Sequence, residues 1–147
     1  MLMPPISRCM TRQAWTIASD APLLQARALM REHHIRHLPV VEGGKLAGIV
    51  SERDIHRTKM LGSDPDARVK DAMTIDVFVV AVEDPLDQVV ERMSKRRYGS
   101  AVVLGRDGGI VGILTTVDAL QFLADLLQHE TDAPARPGTR EMQRSPC

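Results

Sequence analysis

The feature that most constrains the fold of this chain is an internal duplication. Residues 48–54 (GIVSERD) form an apolar strand end followed by Ser-x-x-Asp, and residues 112–118 (GILTTVD) repeat that order. Met10-Thr11 returns as Met73-Thr74, 63 positions later, whereas the Ser-x-x-Asp segments lie 64 positions apart. The extra residue falls in a glycine-rich stretch, where a turn absorbs a change of length without disturbing a core. We infer that the chain contains two copies of one structural unit.

Each copy predicts a β-α-β-β-α unit. Short first strands are predicted at 15–17 and 77–82. A helix follows each of them, with Asp20 or Asp84 as the N-cap and a proline in the first turn. Glycine-rich turns then join pairs of apolar strands, predicted at 38–41 and 46–50 in the first copy and at 101–104 and 110–114 in the second. Ser51 and Thr115 are predicted to start the last helix of each copy.

The predicted fold class is α/β, or α+β in some schemes. A unit of about 55 residues is small to bury its own apolar faces. The two units are therefore expected to pack together as one domain with approximate two-fold symmetry. Their predicted boundaries are 7–61 and 70–128, and residues 129–147 lose periodicity and are predicted to form a disordered tail.

Composition limits the classes of partner. Lys+Arg and Asp+Glu are equal at 19 each, without the basic excess of a nucleic-acid-binding protein. No apolar run approaches the roughly 20 residues that span a bilayer, and the first residues do not follow the pattern of a secretory signal. Cys9 and Cys147 have no metal-site spacing. We expect a cytoplasmic protein with free thiols.

The Ser-x-x-Asp motif has two interpretations. Its spacing is that of a capping box, in which Ser51 and Asp54 satisfy each other's backbone amides at a helix N-terminus. The same position, at the carboxyl end of a sheet, is also where phosphate and ribose groups bind. Ser51 and Thr115 can donate to phosphate, and Asp54 and Asp118 can accept from two adjacent hydroxyls. The two roles are compatible, with capping in the empty site and binding in the occupied one.

The chain resembles a tandem pair of CBS domains. The resemblance rests on the duplicated unit, the Met-Thr dipeptides, residues 37–41 (HLPVV) and residues 48–55 (GIVSERDI), and it covers roughly residues 7–128. It implies a Bateman module that binds an adenosine-containing ligand (AMP, ADP, ATP or S-adenosylmethionine) between the repeats as a regulatory ligand, with no cofactor required. It also implies a homodimer, because such modules commonly pair into a disc.

The resemblance further implies two sets of binding residues. In the family, the motif aspartate holds the ribose and the Ser or Thr lies near phosphate. The first site would comprise Ile35, Arg36, His37, Ser51, Arg53 and Asp54, closed by Thr74 and Val77 of the other repeat. The second would comprise Tyr98, Gly99, Ser100, Thr115 and Asp118, closed by Thr11 and Trp15. Gly99, Ser100 and Val117 replace Arg36, His37 and Arg53, so the second site is expected to suit a nucleoside-like ligand or to stay empty.

Other functions have weaker signals. His33, His34 and His37 are not joined by a Glu or Cys that would complete a metal set, and the cluster from Arg92 to Arg97 is typical of a solvated helix end. No nucleophile is accompanied by a base and an orienting group, so we expect no enzymatic activity. The leading hypothesis is a nucleotide sensor that signals to an unknown effector protein. The alternative is an interaction module of the same fold that dimerises without binding a nucleotide.

Overall fold

The computed structural model describes residues 3–12, 15–62 and 64–131. A short 3₁₀ turn (Ile6–Arg8) and strand β1 (Thr11–Arg12) precede the first repeat. The first repeat contains the predicted β-α-β-β-α order, as β2 (Ile17–Ala18), α1 (Leu23–His33), β3 (His37–Glu42), β4 (Lys45–Ser51) and α2 (Glu52–Met60). After a short helix α3 (Val69–Ala72), the second repeat follows as β5 (Val79–Ala81), α4 (Leu86–Arg96), β6 (Ser100–Leu104), β7 (Ile110–Thr115) and α5 (Thr116–Thr131).

Each repeat builds its own sheet, and the two sheets have matching strand order. In the first, β2 pairs parallel with β3, and β3 pairs antiparallel with β4. In the second, β5, β6 and β7 pair in the same way, and β1 adds a fourth strand beside β7. Buried β-branched and aliphatic residues such as Val40 and Val103 fill both sheets, which explains why the apolar runs predicted these strands.

The segment that leads into each repeat packs on the opposite repeat. We call residues 6–12 and 69–75 the leading segments. Ile6 is fully buried in the core of the second repeat, and Val69, its equivalent 63 positions later, is fully buried in the core of the first. Each core therefore includes side chains from the leading segment of the opposite repeat.

Several predicted details were wrong. The first strands start later than predicted, at Ile17 and Val79. Asp20 and Asp84 are not N-caps: Pro22 and Pro85 hold those positions, and neither helix has a side-chain cap there. The Asp84 carboxylate instead accepts from the Ala81 amide and closes the turn before the helix.

The last helix is longer than expected. Helix α5 continues to Thr131, so the predicted disordered tail does not start at residue 129, and the rest of that prediction, 132–147, lies outside the described residues. In the described part of the chain, no helix combines the length and the apolar character that crossing a bilayer requires.

Candidate functional site

The two Ser-x-x-Asp motifs form reciprocal caps. At the start of α2, the Ser51 amide donates to Asp54 Oδ2 at 2.8 Å and the Asp54 amide donates to Ser51 Oγ at 3.1 Å. At the start of α5, the Thr115 amide donates to Asp118 Oδ2 at 2.9 Å and the Asp118 amide donates to Thr115 Oγ1 at 3.1 Å. The capping interpretation is confirmed at both places.

Each cap lies beside the leading segment of the other repeat. Thr74 and Ile49 exchange two backbone hydrogen bonds of 2.8 and 2.9 Å, and Thr11 pairs with Ile113 in the matching register. Both contacts are antiparallel, and both lie two residues before a Ser51 or Thr115 cap. The structure therefore brings Thr74 and Thr11, two of the residues that sequence analysis assigned from the opposite repeat, next to the caps at Ser51 and Thr115.

Glycine makes this close approach possible. A Cβ on Gly48 would lie 2.8 Å from the Thr74 carbonyl oxygen, and a Cβ on Gly112 would lie 2.7 Å from that of Thr11. Atoms at such distances overlap, so only glycine admits the crossing strand. Sequence analysis noticed these glycines as part of the repeat but did not assign them this role. Both glycines stand two residues after the start of an apolar strand, and this shared position was the sequence signal that could have indicated a close approach of another strand.

The first cleft is framed by residues that precede β3. The Glu52 amide donates to the Arg36 carbonyl oxygen at 2.9 Å, which ties this segment to the N-terminus of α2. His37 pairs across the sheet with Ser51. The Arg36 guanidinium lies 3.6 Å from the Glu52 carboxylate and is largely exposed. Arg53 is exposed and has no hydrogen bond or ion pair within the described residues.

Electrostatics at the first cleft depend on His37. Burial lowers the pKa of this imidazole, the Asp54 carboxylate raises it, and the Arg36 and Arg53 guanidinium groups lower it further. His37 therefore favours its neutral form at neutral pH, and it is a hydrogen-bonding group more than a source of positive charge.

His37 also contacts the second cleft. Its Nε2 lies 3.0 Å from the position that a Cβ on Gly99 would occupy. Gly99 stands where the first repeat has Arg36, and its carbonyl oxygen accepts from the Thr116 amide at 3.1 Å, as that of Arg36 does from Glu52. Glycine at this position thus suits the packing, because a Cβ at 99 would be in tight contact with the His37 ring, which would have to shift slightly.

The second cleft differs from the first in the hydrogen bonds that its aspartate accepts. Thr11 Oγ1 donates to Asp118 Oδ1 at 3.1 Å and lies 3.3 Å from Oδ2. Both carboxylate oxygens of Asp118 therefore have hydrogen bonds, whereas Asp54 Oδ1 has none from the described residues. Thr74, the equivalent of Thr11, has an exposed side chain that does not bond to Asp54.

Cys9 is a site neighbour that sequence analysis left outside the patterned region. Its Sγ lies 3.6 Å from the Asp118 carbonyl oxygen, and the thiol is buried and free. Burial, reinforced by the negative charge of Asp118, raises the pKa of Cys9 to about 11. The thiol therefore stays protonated and packs as a small apolar group. Cys147, the other predicted free thiol, lies outside the described residues.

Aromatic rings flank both repeats. Trp15 stacks on His33 at the end of α1, with ring centroids 3.7 Å apart, and Phe78 stacks on Tyr98 at 4.7 Å. The contacts of Trp15 are therefore with the first repeat, while it was assigned to close the second site. Phe78, the equivalent of Trp15, was not assigned, although the repeat offset pointed to it. Val77 and Ser100, two further residues that sequence analysis assigned to the sites, are half-buried.

The donor set of the clefts suits a neutral or anionic organic ligand more than a metal. Among the described residues, no three His, Cys, Asp or Glu side chains are grouped to hold an ion. The clefts instead offer a carboxylate, a hydroxyl group, helix N-terminal amides and apolar strand ends. This combination binds hydroxyl groups and flat apolar groups.

Comparison with known proteins identifies the family. A family model described as the CBS domain matches residues 6–60 and 69–125. Inosine-5'-monophosphate dehydrogenase from Thermoplasma acidophilum is 33% identical over 109 residues, which are 74% of this chain and 21% of that protein. The chain thus spans about a fifth of that relative's length.

Solved structures match over nearly their whole length. A protein from Vibrio cholerae whose suggested role is acetoin utilization (AcuB) has a TM-score of 0.79 at 30% identity, and the match covers 91% of this chain and 100% of that chain. The CBS domain pair of protein MJ0100, solved with 5'-methylthioadenosine and S-adenosyl-L-methionine, has a TM-score of 0.77 at 25% identity, covering 85% and 99%. With two matched domains that cover most of its length, this chain belongs to the CBS domain family and carries the domain twice in tandem.

Proposed function

We propose that this chain is a non-catalytic regulatory module that binds an adenosine-containing ligand (AMP, ADP, ATP or S-adenosylmethionine) in the clefts between its repeats. One observation carries the proposal: each capped aspartate lies beside the leading segment of the opposite repeat. A ligand in either cleft contacts both repeats at once, so occupancy biases how the repeats pack. That differential contact is what a ligand needs to shift a conformational equilibrium.

The first cleft is the preferred site in this proposal. Asp54 keeps one carboxylate oxygen for the ribose hydroxyls, and Ser51, Arg36 and Arg53 lie at the helix N-terminus where phosphate binds. In the second cleft, a ribose must displace the Thr11 hydroxyl from Asp118. The bound CBS pair of MJ0100 supports the adenosyl ligand class.

Thermal shift with a ligand panel tests the proposal. We expect AMP, ADP, ATP, S-adenosylmethionine or NAD to raise the melting temperature of the wild-type protein, because a ligand that binds only the folded state stabilises it. Asp54→Ala is expected to remove most of this shift, and Asp118→Ala a smaller part. Asp84→Ala is the matched control, since Asp84 accepts from the Ala81 amide at the Leu104 end of the second sheet, opposite to the end that holds Thr115. A panel without any shift contradicts the proposal.

The alternative, an interaction module that binds no nucleotide, has its own observation. The outer face of α5 exposes an apolar stripe in which Val117, Leu120 and Leu123 are 64%, 65% and 49% exposed. An apolar patch of this kind is typical of a protein interface. We propose that the stripe forms the contact of a homodimer in either case, and that the signal passes from this assembly to an effector protein.

The homodimer is tested by light scattering during size-exclusion chromatography. We expect the wild-type protein to elute with the mass of two chains, and Leu120→Glu with Leu123→Glu to give one chain. Leu24→Glu, on the exposed side of α1, is the control and should leave the mass unchanged. A monomeric wild-type protein contradicts the dimer and leaves the ligand proposal unaffected.

The proposed location is the cytoplasm, where a free thiol such as Cys9 stays reduced.

A further inference from the structure

A second, basic groove runs between α1 and α2 on the first repeat. It has a volume of about 380 Å³, and Met30, Ile35 and Ile55 form its apolar floor. Its rim is polar and mostly cationic, comprising Arg27, Arg31, His34, Arg36, Glu52, His56 and Lys59. Ile35 and Arg36 border the first nucleotide cleft as well, whereas the other rim cations belong to the groove alone.

The positive charge in this groove is not balanced by the protein. Glu52 is the one carboxylate on the rim, and it already lies 3.6 Å from Arg36 and 3.8 Å from His56. Arg27, Arg31 and Lys59 have neither a hydrogen bond nor an ion pair with any described residue. Arg27 and Arg31 also stand at i and i+4 of α1, where like charges repel each other.

The second repeat shows that the fold does not require these charges. The positions equivalent to Arg27, Arg31, His56 and Lys59 are Val90, Ser94, Leu120 and Leu123. The second repeat therefore lacks the cations Arg27, Arg31 and Lys59 on this face, although it has Arg97 where the first repeat has His34, and the formal net charge of the whole chain is zero. The unpaired cations of the first repeat repel one another, and the second repeat shows that leucine and valine are accepted at the equivalent positions. We infer that a ligand neutralises these cations.

We propose that the α1–α2 groove binds a small phosphorylated molecule that carries at least two negative charges. A guanidinium group can donate two parallel hydrogen bonds to one phosphate group. Arg27 and Arg31 on α1 and Lys59 on α2 offer donors from both sides of the groove. The apolar floor lowers the local polarity and strengthens these contacts. This site is independent of the adenosyl ligand proposed above.

Calorimetric titration with inorganic pyrophosphate tests the groove directly. We expect saturable binding to the wild-type protein, and an affinity lower by about tenfold or more for Arg31→Gln with Lys59→Gln, because two charged contacts are lost. Arg92→Gln with Lys95→Gln, which removes the same charge from α4, should retain the wild-type affinity. Absence of saturable binding to the wild-type protein, or equal losses in both double variants, overturns the proposal.

A second comparison separates the groove from the nucleotide cleft. Asp54→Ala with Asp118→Ala should bind pyrophosphate as the wild type does, and Arg31→Gln with Lys59→Gln should keep the melting-temperature shift given by adenine nucleotides. If S-adenosylmethionine, which carries no phosphate, displaces pyrophosphate competitively, the anion occupies the cleft and the groove proposal is wrong. Either proposal can thus fail while the other stands.

Discussion

Thr11 donates its hydroxyl hydrogen to the carboxylate of Asp118, at 3.1 Å from Oδ1, across 107 positions of the chain. The bond joins the leading segment before the first repeat to the helix cap of the second. Its counterpart in the other cleft is missing among the described residues, because the side chain of Thr74 does not reach Asp54. The two clefts are therefore similar in backbone and different in how their aspartates are held.

This asymmetry predicts unequal effects of removing the two hydroxyl groups. Thr11→Val loses a hydrogen bond to a carboxylate at an exposed site, so we expect the free energy of unfolding to fall by about 0.5–1 kcal/mol. Thr74→Val is the matched control and is expected to be nearly neutral, since its hydroxyl has no bond to lose. Urea denaturation measures both variants. Equal losses in the two variants would show that the bond contributes nothing.

The two crossing glycines predict a steric effect. Gly48→Ala and Gly112→Ala each place a Cβ under 3 Å from a backbone carbonyl oxygen, and the strands must separate to admit it. We expect losses of about 1–3 kcal/mol in the free energy of unfolding. Gly109→Ala serves as the control, because its nearest neighbour is the exposed, flexible Asp107 carboxylate at 3.2 Å. A control as unstable as the two variants would refute the steric explanation.

His37 predicts a pH dependence of stability. Burial lowers the pKa of His37 in the folded protein from its ordinary value of 6.5, so the unfolded chain binds the proton more tightly. Its contribution to stability is therefore complete above pH 6.5 and is lost as the pH falls below that value. His37→Gln removes the titrating group and should flatten the profile measured by urea denaturation between neutral and mildly acidic pH.

The control for this profile is His56→Gln, since His56 is exposed on α2. It should retain the wild-type pH dependence. The explanation through His37 is wrong if His37→Gln loses stability with acid as steeply as the wild type. The result also concerns the clefts, because protonation places a positive charge on His37, next to Gly99.

Cys9 predicts a thiol of low reactivity. With its pKa raised to about 11, Cys9 holds little thiolate at mildly alkaline pH. In a Cys147→Ser background, we expect alkylation by iodoacetamide at pH 8 to be slower by about a hundredfold in the folded protein than in urea. Mass spectrometry follows the modification. Similar rates in the two conditions would contradict the buried, protonated state.

Much of the fold was readable from local patterns. Apolar runs bounded by glycine-rich turns predicted β3, β4, β6 and β7, and the Ser-x-x-Asp spacing predicted where α2 and α5 begin. The predicted N-caps Asp20 and Asp84 were wrong by two positions and by one, since Pro22 and Pro85 hold the caps, and an aspartate near a proline can close a turn instead, as Asp84 does. Such local competition between a cap and a turn is not resolved by residue type alone.

The clefts needed long-range information. Sequence analysis predicted that Thr11 and Thr74 cross to the opposite repeats, on the strength of the family resemblance. The bond from Thr11 to Asp118 and the contact of His37 with Gly99 follow from how the repeats lie against each other. Differences between equivalent side chains of the two repeats decided these contacts. That the assigned residues bind a ligand stays a prediction.

By itself, the sequence determined the duplicated β-α-β-β-α unit and its two capped helices, because hydrophobic period, turn glycines and capping residues act over a few neighbouring positions. The tertiary structure alone decided that the leading segments exchange cores, that Asp118 is bonded while Asp54 keeps a free oxygen, and that cations gather between α1 and α2. These features depend on which surfaces meet, and contacts between residues far apart in the chain exist only once both units are packed.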